Sequence, residues 1–362
     1  MRVLFLTRYP MDGASSRYRV HQYLPHLCVL GYDVDVQSFM DRSMYRLSFQ
    51  SGRSIVKIFA TLKATAKRLW KLRQWRSYDL IYMQRELFPF GPPVIERWLK
   101  KRGAVLVYDY DDALFIKKSS RYNRIATAFR SGEKTLSLFR IVDCVVAGND
   151  WLRDAARDAG AANAVTLEVA EDTQRIPMHP GHTRSRSVTI GWLGSPSTVK
   201  YLRLIEPALR KIADKYPQTR WEIVGGNDFA MEGISWRLTE WSLEEELAAL
   251  ARFDIGLMPL PEENWAKGKS GGKARTYMAA GIVPVVAAIG YNLELIRDGE
   301  TGFLCRTLED WSSAIETALC DADLRQKIAE TARAEVKTRF DPATLAARMA
   351  EILEDVRVKK HA

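Results

Sequence analysis

The stretch Lys267–Val286, KGKSGGKARTYMAAGIVPVV, holds the residues best suited to chemistry. Ser270, Gly271 and Gly272 lead into a short helix of small residues, followed by Gly281 and the apolar run Val283–Ala287. Glycines let backbone approach a ligand closely, and the first amides of a helix point outward without partners, so a diphosphate fits such a loop. Lys267, Lys269 and Lys273 add cations where a departing phosphate would gather negative charge. The competing reading is a solvated basic loop; the flanking helix and strand favour phosphate. The loop is not a Walker A motif, because Gly268 and Gly272-Lys273 have the wrong gap and Ala274 stands where a hydroxyl is needed. No G-x-G-x-x-G follows the first apolar run, which argues against a nicotinamide dehydrogenase as well as a kinase-like ATPase.

These groups need a scaffold. A chain of 362 residues, 47% hydrophobic and 27% charged, reads as a soluble globular protein of two ordinary domains. Its apolar runs are shorter than a membrane span, and MRVLFLTRYP lacks a signal-peptide layout, so a cytoplasmic location is expected. Cys28, Cys144, Cys305 and Cys320 are scattered without a C-x-x-C, which indicates neither a disulfide framework nor a zinc site.

The net charge of +10 is concentrated. Between Arg42 and Ser77 lie ten basic residues and no acid. Ile55, Phe59, Leu62, Ala66 and Leu69 recur there at helical spacing, with Lys57, Lys63, Lys67 and Lys71 on other faces and Trp70 and Trp75 near the end. The pattern predicts a basic amphipathic helix lying on anionic lipid, through the Arg42–Arg76 region. An ordinary surface helix and a nucleic-acid patch are the alternatives; nucleic acid is not the expected partner.

Strands are predicted at Val3–Leu6, Val34–Ser38, Leu80–Met83, Val105–Tyr108 and Cys144–Ala147, alternating with helices such as Arg17–Leu30 and Val94–Arg102. A polar, proline-bearing stretch over 171–186 reads as a connection. A second series follows, with strands at Val188–Trp192, Trp221–Val224, Ile255–Met258 and Val283–Ala287. The fold class is therefore α/β: two doubly wound, Rossmann-like domains facing across a cleft, over 1–170 and 187–340. A final helix over 341–362, after Phe340-Asp341-Pro342, is expected to return to the first domain.

With those elements in place, the words IVGG, DIGLMPLPEENW, GKSGGKARTYMAAGIVPVVAA and YNLELIRDGETGFL resemble the donor-binding half of the GT-B glycosyltransferases, most similar to the retaining family 4. GASSRYRVHQYLPHL, YDLIYMQRE, VYDYDDALF and VDCVVAGNDWL resemble the acceptor half of the bacterial surface-polysaccharide members. The resemblance implies transfer of a sugar from a nucleotide-diphosphate-sugar to a hydroxyl of a glycan or lipid-linked acceptor. It also implies retention of configuration, no metal or other cofactor, and attachment to the inner face of the membrane. A nucleotide-sugar epimerase and a catalytically silent GT-B partner protein are the rival readings.

The resemblance places the donor diphosphate on Ser270, Gly271, Gly272 and Lys273, on Gly194 and Ser195, and under the turn Gly13, Ser15 and Ser16. Gly225, Thr276, Tyr277 and Glu294 stand as nucleotide or sugar contacts, and Arg17, Arg19 and Arg85 as acceptor contacts. Departures from the family are equally specific. Its paired glutamates fall on Gly268 and Thr276, so the carboxylate that holds the ribose hydroxyls is missing or supplied from elsewhere. Its arginine, one residue after the glycine of the first strand of the second half, falls on Trp192. Its histidine in the first half is replaced by the run Tyr108-Asp109-Tyr110-Asp111-Asp112. Three roles suit these acids: a D-x-D metal ligand, a helix cap, or a carboxylate that orients or deprotonates the acceptor hydroxyl. The last is preferred, with Asp109 at the matching position and Asp111 and Asp112 as alternatives.

Overall fold

A computed structural model describes residues 1–48, 50, 52–116, 132–182, 187–226 and 228–361. The chain divides into two units, Met1–Ala170 with Pro342–Ala362, and Glu171–Asp341. Residues 171–182, which the sequence reads as connection, group with the second unit.

The first unit holds a six-stranded sheet ordered β2-β1-β3-β4-β5-β6. Its strands are β1 (Arg2–Thr7), β2 (Asp33–Ser38), β3 (Leu80–Gln84), β4 (Leu106–Tyr110), β5 (Cys144–Ala147) and β6 (Ala164–Thr166). All pairings are parallel, with Val3 beside Val34 on one side and Leu80 on the other. Every residue of β3, β4 and β5 is buried, as expected for strands covered on both faces. The strand order reverses between β1 and β3, which opens a crevice at their carboxyl ends. The helix Pro342–His361 packs here through Leu345, Met349, Leu353 and Val356, spaced at three and four residues. Tyr32 Oη donates to the Ala350 carbonyl at 3.1 Å.

The second unit repeats the plan. Its sheet is ordered β12-β11-β10-β7-β8-β9. The strands are β7 (Thr189–Leu193), β8 (Arg220–Val224), β9 (Trp236–Thr239), β10 (Ile255–Met258), β11 (Val283–Ala287) and β12 (Phe303–Cys305), again all parallel. Here the reversal lies between β7 and β10. The α/β class and the doubly wound order in each unit agree with the sequence reading.

Two elements differ from expectation. The single helix expected over Arg17–Leu30 is broken into Ala14–Ser16, a wide π-type turn at Arg17–His21, and Leu24–Val29. The extra residue in that turn swings Arg19 inward, where it is fully buried. The basic helix, Ser54–Leu72, lies the other way round from an ordinary surface helix. Ala64, Arg68 and Leu72 face the protein, while Ile55, Phe59, Leu62 and Trp70 are 71%, 68%, 59% and 64% exposed. Arg68 sets this orientation by donating to the carbonyls of Thr7 and Gln37 at 2.8 and 3.0 Å, and Lys71 pairs with Asp35. Arg68 and Lys71 are therefore structural, and only part of the Arg42–Arg76 region is available to a surface.

Candidate functional site

The loops after β7, β8 and β10 carry the second unit's candidate groups. Gly194 and Gly225 follow β7 and β8 and touch: a Cβ on Gly225, whose φ is +85°, would lie 2.0 Å from the Gly194 carbonyl oxygen. A Cβ on Gly194 would lie 2.7 Å from the Trp192 ring and 2.8 Å from Lys273 Cε. Glycine at 194 thus opens the slot that the Lys273 side chain fills. The Lys273 ammonium sits 4.8 Å from the centroid of the fully buried Trp192 ring. Burial, and then the neighbouring charge of Lys269, bring its pKa down to about 7. An amine withdrawn from water in this way regains its proton when an anion arrives beside it.

Gly271, at φ +65°, begins the helix Gly272–Ala280 without a side-chain cap, and a Cβ on Gly272 would meet nothing within 4 Å. The first amides of the helix therefore face open space. Lys269 lies 4.2 Å over the Trp265 ring, and Lys267 is half-buried on the short helix Asn264–Lys267. Ser270 is half-buried and Ser195 is exposed, bonded to Ser197 Oγ at 2.8 Å. Trp241 is 44% exposed, and its Cβ lies against Gly225. Trp236 instead packs on Trp221 at 5.3 Å as part of the core.

Tyr277 is corrected. It is fully buried, and its hydroxyl accepts from Leu193 N at 3.1 Å and donates to the Leu257 carbonyl at 3.3 Å, tying β7 to β10. It is a strut with no hydrogen-bonding group left for a ligand. Glu294 is exposed on the short helix Asn292–Leu295. Thr276 is buried and donates to Glu171 Oε2 at 2.9 Å. Glu171 had no signal in the sequence, lying in a polar stretch read as connection.

At the carboxyl ends of β1, β3 and β4 the first unit assembles a polar network. Ser15 Oγ donates to Asp111 at 3.0 and 2.9 Å, and Gln84 Nε2 donates to Ser15 Oγ at 3.0 Å. Ser16 Oγ donates to Gln84 Oε1 at 2.7 Å while accepting from Tyr9 N at 3.0 Å. Gly13 begins this turn, and a Cβ there would lie 2.4 Å from Tyr9 Cβ. Arg85 Nη2 stands 3.7 Å from Asp111 Oδ1, both side chains being largely buried. Arg85 adopts φ +68°, a left-handed conformation that costs a non-glycine residue energy and often marks a functional site. Burial opposes its charge, but Tyr9, Asp111, Asp112 and Glu86 raise its pKa overall. A cavity of about 400 Å³ beside it is lined by Arg8, Arg85, Arg97 and Lys134, with Glu86 and Glu133.

Asp109 and Arg19 are corrected as well. Both side chains are wholly buried and paired with each other, and Arg19 also donates to the Leu167 carbonyl at 2.5 Å. Burial pushes the Asp109 carboxyl up while Arg19 opposes it. Neither side chain has any exposed surface. Of the three acids Asp111 is the one held in the network, and Asp112 turns back to accept from Ala113 N at 3.0 Å. Arg17 is buried, its guanidinium 5.1 Å over the Tyr18 ring.

The described residues include one cluster with metal-ligand chemistry: His179, His182 and Asp254, all buried. Both imidazoles approach Asp254 Oδ1, at 3.3 and 3.2 Å, but their rings stack 4.2 Å apart and only 12° from parallel. Lone pairs lying in parallel planes do not converge on one ion, so the geometry suits hydrogen bonding. His182 Nε2 also lies 3.0 Å from the Gly281 carbonyl. The cluster lies at the amino-terminal edge of its sheet, away from Lys273.

Residues 187–321 match the family model described as glycosyl transferases group 1. No curated protein sequence matches the chain. Among solved structures, the chain is similar to HepE of Anabaena in complex with UDP and glucose, with TM-score 0.71 and 18% identity over 98% of this chain and 100% of that one. It is also similar to sucrose-phosphate synthase of Thermosynechococcus elongatus, with TM-score 0.69, 15% identity and coverage of 99% and 100%. A glycosyltransferase of Rickettsia africae aligns with TM-score 0.66, 15% identity and 98% coverage of each chain.

Proposed function

We propose, for a chain that has the GT-B fold and whose second unit belongs to the group 1 glycosyltransferases, that this glycosyltransferase moves a hexose from a UDP-sugar to a hydroxyl of a phosphate-bearing, lipid-linked acceptor, with retention. The observation that carries this reading is the Lys273 amine, desolvated against Trp192 beside Gly194 and the uncapped helix start. The choice of UDP draws on the UDP and UDP-glucose complexes of the Anabaena relative.

In this mechanism the diphosphate lies on the amides at Gly271–Lys273, and Trp241 offers an exposed ring to the base. The bond between the anomeric carbon and the β-phosphate oxygen breaks, and both electrons leave with UDP. Lys273, reprotonated by the ligand, and Lys269 stabilise that charge as it develops, in place of a metal ion. The acceptor oxygen bonds to the anomeric carbon from the face the diphosphate leaves and gives up its proton; within the first unit, Asp111 is the carboxylate suited to accept a proton from a bound hydroxyl. Arg85 and the basic cavity beside it suit the acceptor's phosphate.

The outward apolar face of Ser54–Leu72, with Lys63, Lys67, Arg73 and Arg76 exposed around it, suits a peripheral hold on anionic lipid. Among the described residues no helix is long and apolar enough to cross a membrane. The test is release of UDP from UDP-glucose, with EDTA present, in extracts of anionic lipid-linked saccharides. Metal-independent turnover supports the reading; a folded protein that neither binds UDP nor releases it refutes it.

A further inference from the structure

The amino-terminal edge of the second sheet carries a cavity separate from the donor groups. Parallel register sets Arg220 of β8 beside Thr189 of β7, Trp221 beside Trp236, and Glu222 beside Arg237 of β9. A cavity of about 440 Å³ opens across these first strand residues, a volume ordinary for a small-molecule site. Its wall includes Arg220, Arg237, Arg252, Glu222, Thr219 and Trp236. The donor groups follow the other ends of the same strands, Gly194 after β7 and Gly225 after β8. From Thr189 to Gly194, at about 3.3 Å per residue, the separation is roughly 16 Å.

The charges of this wall do not cancel. Arg252, just after the helix Leu243–Leu250, donates to both oxygens of Glu222, from Nη2 to Oε1 at 2.5 Å and from Nε to Oε2 at 3.2 Å. That fork satisfies a carboxylate only 4% exposed. Arg237 stands 4.0 Å from Glu222, too far to hydrogen-bond, and Arg220 has no ion pair among the described residues. The buried Glu222 accounts for one arginine and leaves two. Two neutral groups are unmet as well. Thr219 Oγ1 and Trp236 Nε1 are buried without a hydrogen-bond partner, and Thr219 as a whole is 9% exposed. The Trp236 ring is held edge-on by Trp221 at 5.3 Å and by Phe229 at 5.9 Å, which fixes the direction of its N–H. Unmet polar groups in an interior are costly, and a ligand removes that cost. A phosphate monoester near neutral pH carries close to two negative charges, the same magnitude as the excess in the wall. Its oxygens accept from guanidinium forks, and hydroxyls on its body suit Thr219 and the indole N–H.

We propose that this cavity is an anion site that takes the phosphate monoester of a small polyol. Arg220 and Arg237 hold the phosphate, Arg252 is set beside it by Glu222, and Thr219 and Trp236 meet the hydroxyls. The site shares no residue with the donor groups and stands whether or not the donor reading does. It takes no part in bond breaking.

The test is a titration of the full chain with glycerol 3-phosphate, followed by nuclear magnetic resonance at the indole N–H of Trp236, which Trp236→Phe assigns. Glycerol, and sodium chloride at matched ionic strength, are the controls. The Trp236 signal moves saturably with glycerol 3-phosphate and with neither control. Arg220→Gln combined with Arg237→Gln, both positions being exposed, raises the half-saturating concentration by about tenfold or more. Thr219→Val weakens binding yet melts no lower than the wild type, because the hydroxyl it removes has no partner to lose. Lys273→Met leaves the response unchanged; its loss there would show that the signal reports the donor loop and would overturn the inference. Unchanged saturation in the folded double variant, or an equal response to chloride, overturns it too. If the variants fail to fold, the wild-type titration still decides, since a Trp236 signal that does not move saturably removes the site.

Discussion

Arg19 and Asp109, ninety positions apart, meet as an ion pair with no exposed surface on either side chain. Removing one member leaves the other as a buried, unbalanced charge. Asp109→Asn is therefore expected to cost about 3–5 kcal/mol of stability, read by chemical denaturation. Asp111→Asn keeps an acceptor for Ser15 and should cost less, about 1–2 kcal/mol, while lowering turnover by about 10²-fold or more. The reverse pattern would return the acceptor role to Asp109.

Lys273 carries a second prediction, with a definite sign. Its folded pKa, about 7, lies below the ordinary 10.5, so between those values the unfolded chain holds a proton that the folded protein has released. Unliganded stability should therefore rise with pH across that window, and this contribution should be flat below it. Lys273→Met removes the penalty: the empty protein melts higher, by about 2–4 °C, and loses its stabilisation by UDP. Binding of UDP-glucose should weaken as the pH climbs through 7 to 9 in the wild type. A variant that melts lower and still binds UDP contradicts the assignment.

Gly194→Ala tests the slot directly. The added methyl meets Lys273 Cε at 2.8 Å and Trp192 at 2.7 Å, and the lysine, being flexible, gives way first. UDP affinity should fall by about tenfold or more while far-UV circular dichroism stays unchanged. Undiminished affinity would show that the amine does not depend on this position.

For the outward face of Ser54–Leu72, Phe59→Ser with Leu62→Ser should leave thermal stability nearly unchanged, since both side chains are already in solvent. Sedimentation with phosphatidylglycerol vesicles should drop several-fold. Arg68→Met, by contrast, should destabilise the protein, because the carbonyls of Thr7, Gln37 and Leu87 each lose a guanidinium donor. Equal sedimentation of the double variant and the wild type would remove the membrane proposal.

The parallel sheets and the uncapped helix start after the glycine-lysine loop were legible in sequence because both are written locally: β-branched runs, glycine spacing, small residues after the loop. The ion pair of Arg19 with Asp109 was not, since alternation within a strand cannot say which acid of Asp109, Asp111 and Asp112 finds a cation far along the chain. Periodicity grouped Ile55, Phe59 and Leu62 on one face of their helix; only Arg68, reaching backbone at the ends of two strands, decides that this face turns outward. Tyr277 lay in the right helix, yet Gly256 leaves room for its ring between the strands, where a Cβ would lie 2.5 Å from it. Glu171 was hidden by its polar neighbours, because composition reports solvent exposure on average and misses a single buried acid.

The segment Pro342–His361 completes the first unit after the whole of the second has intervened. On the ribosome, the residues up to Ala170 emerge early and must wait through 171 further positions before Leu345, Met349 and Leu353 arrive to cover them. The second unit, continuous in the chain, can close as soon as it is made. Order of synthesis and order of completion are thus opposed. A stall or cleavage near residue 341 would leave a finished second unit attached to an unfinished first one, with Tyr32 and the surface that the last helix covers left open to chaperones or to aggregation.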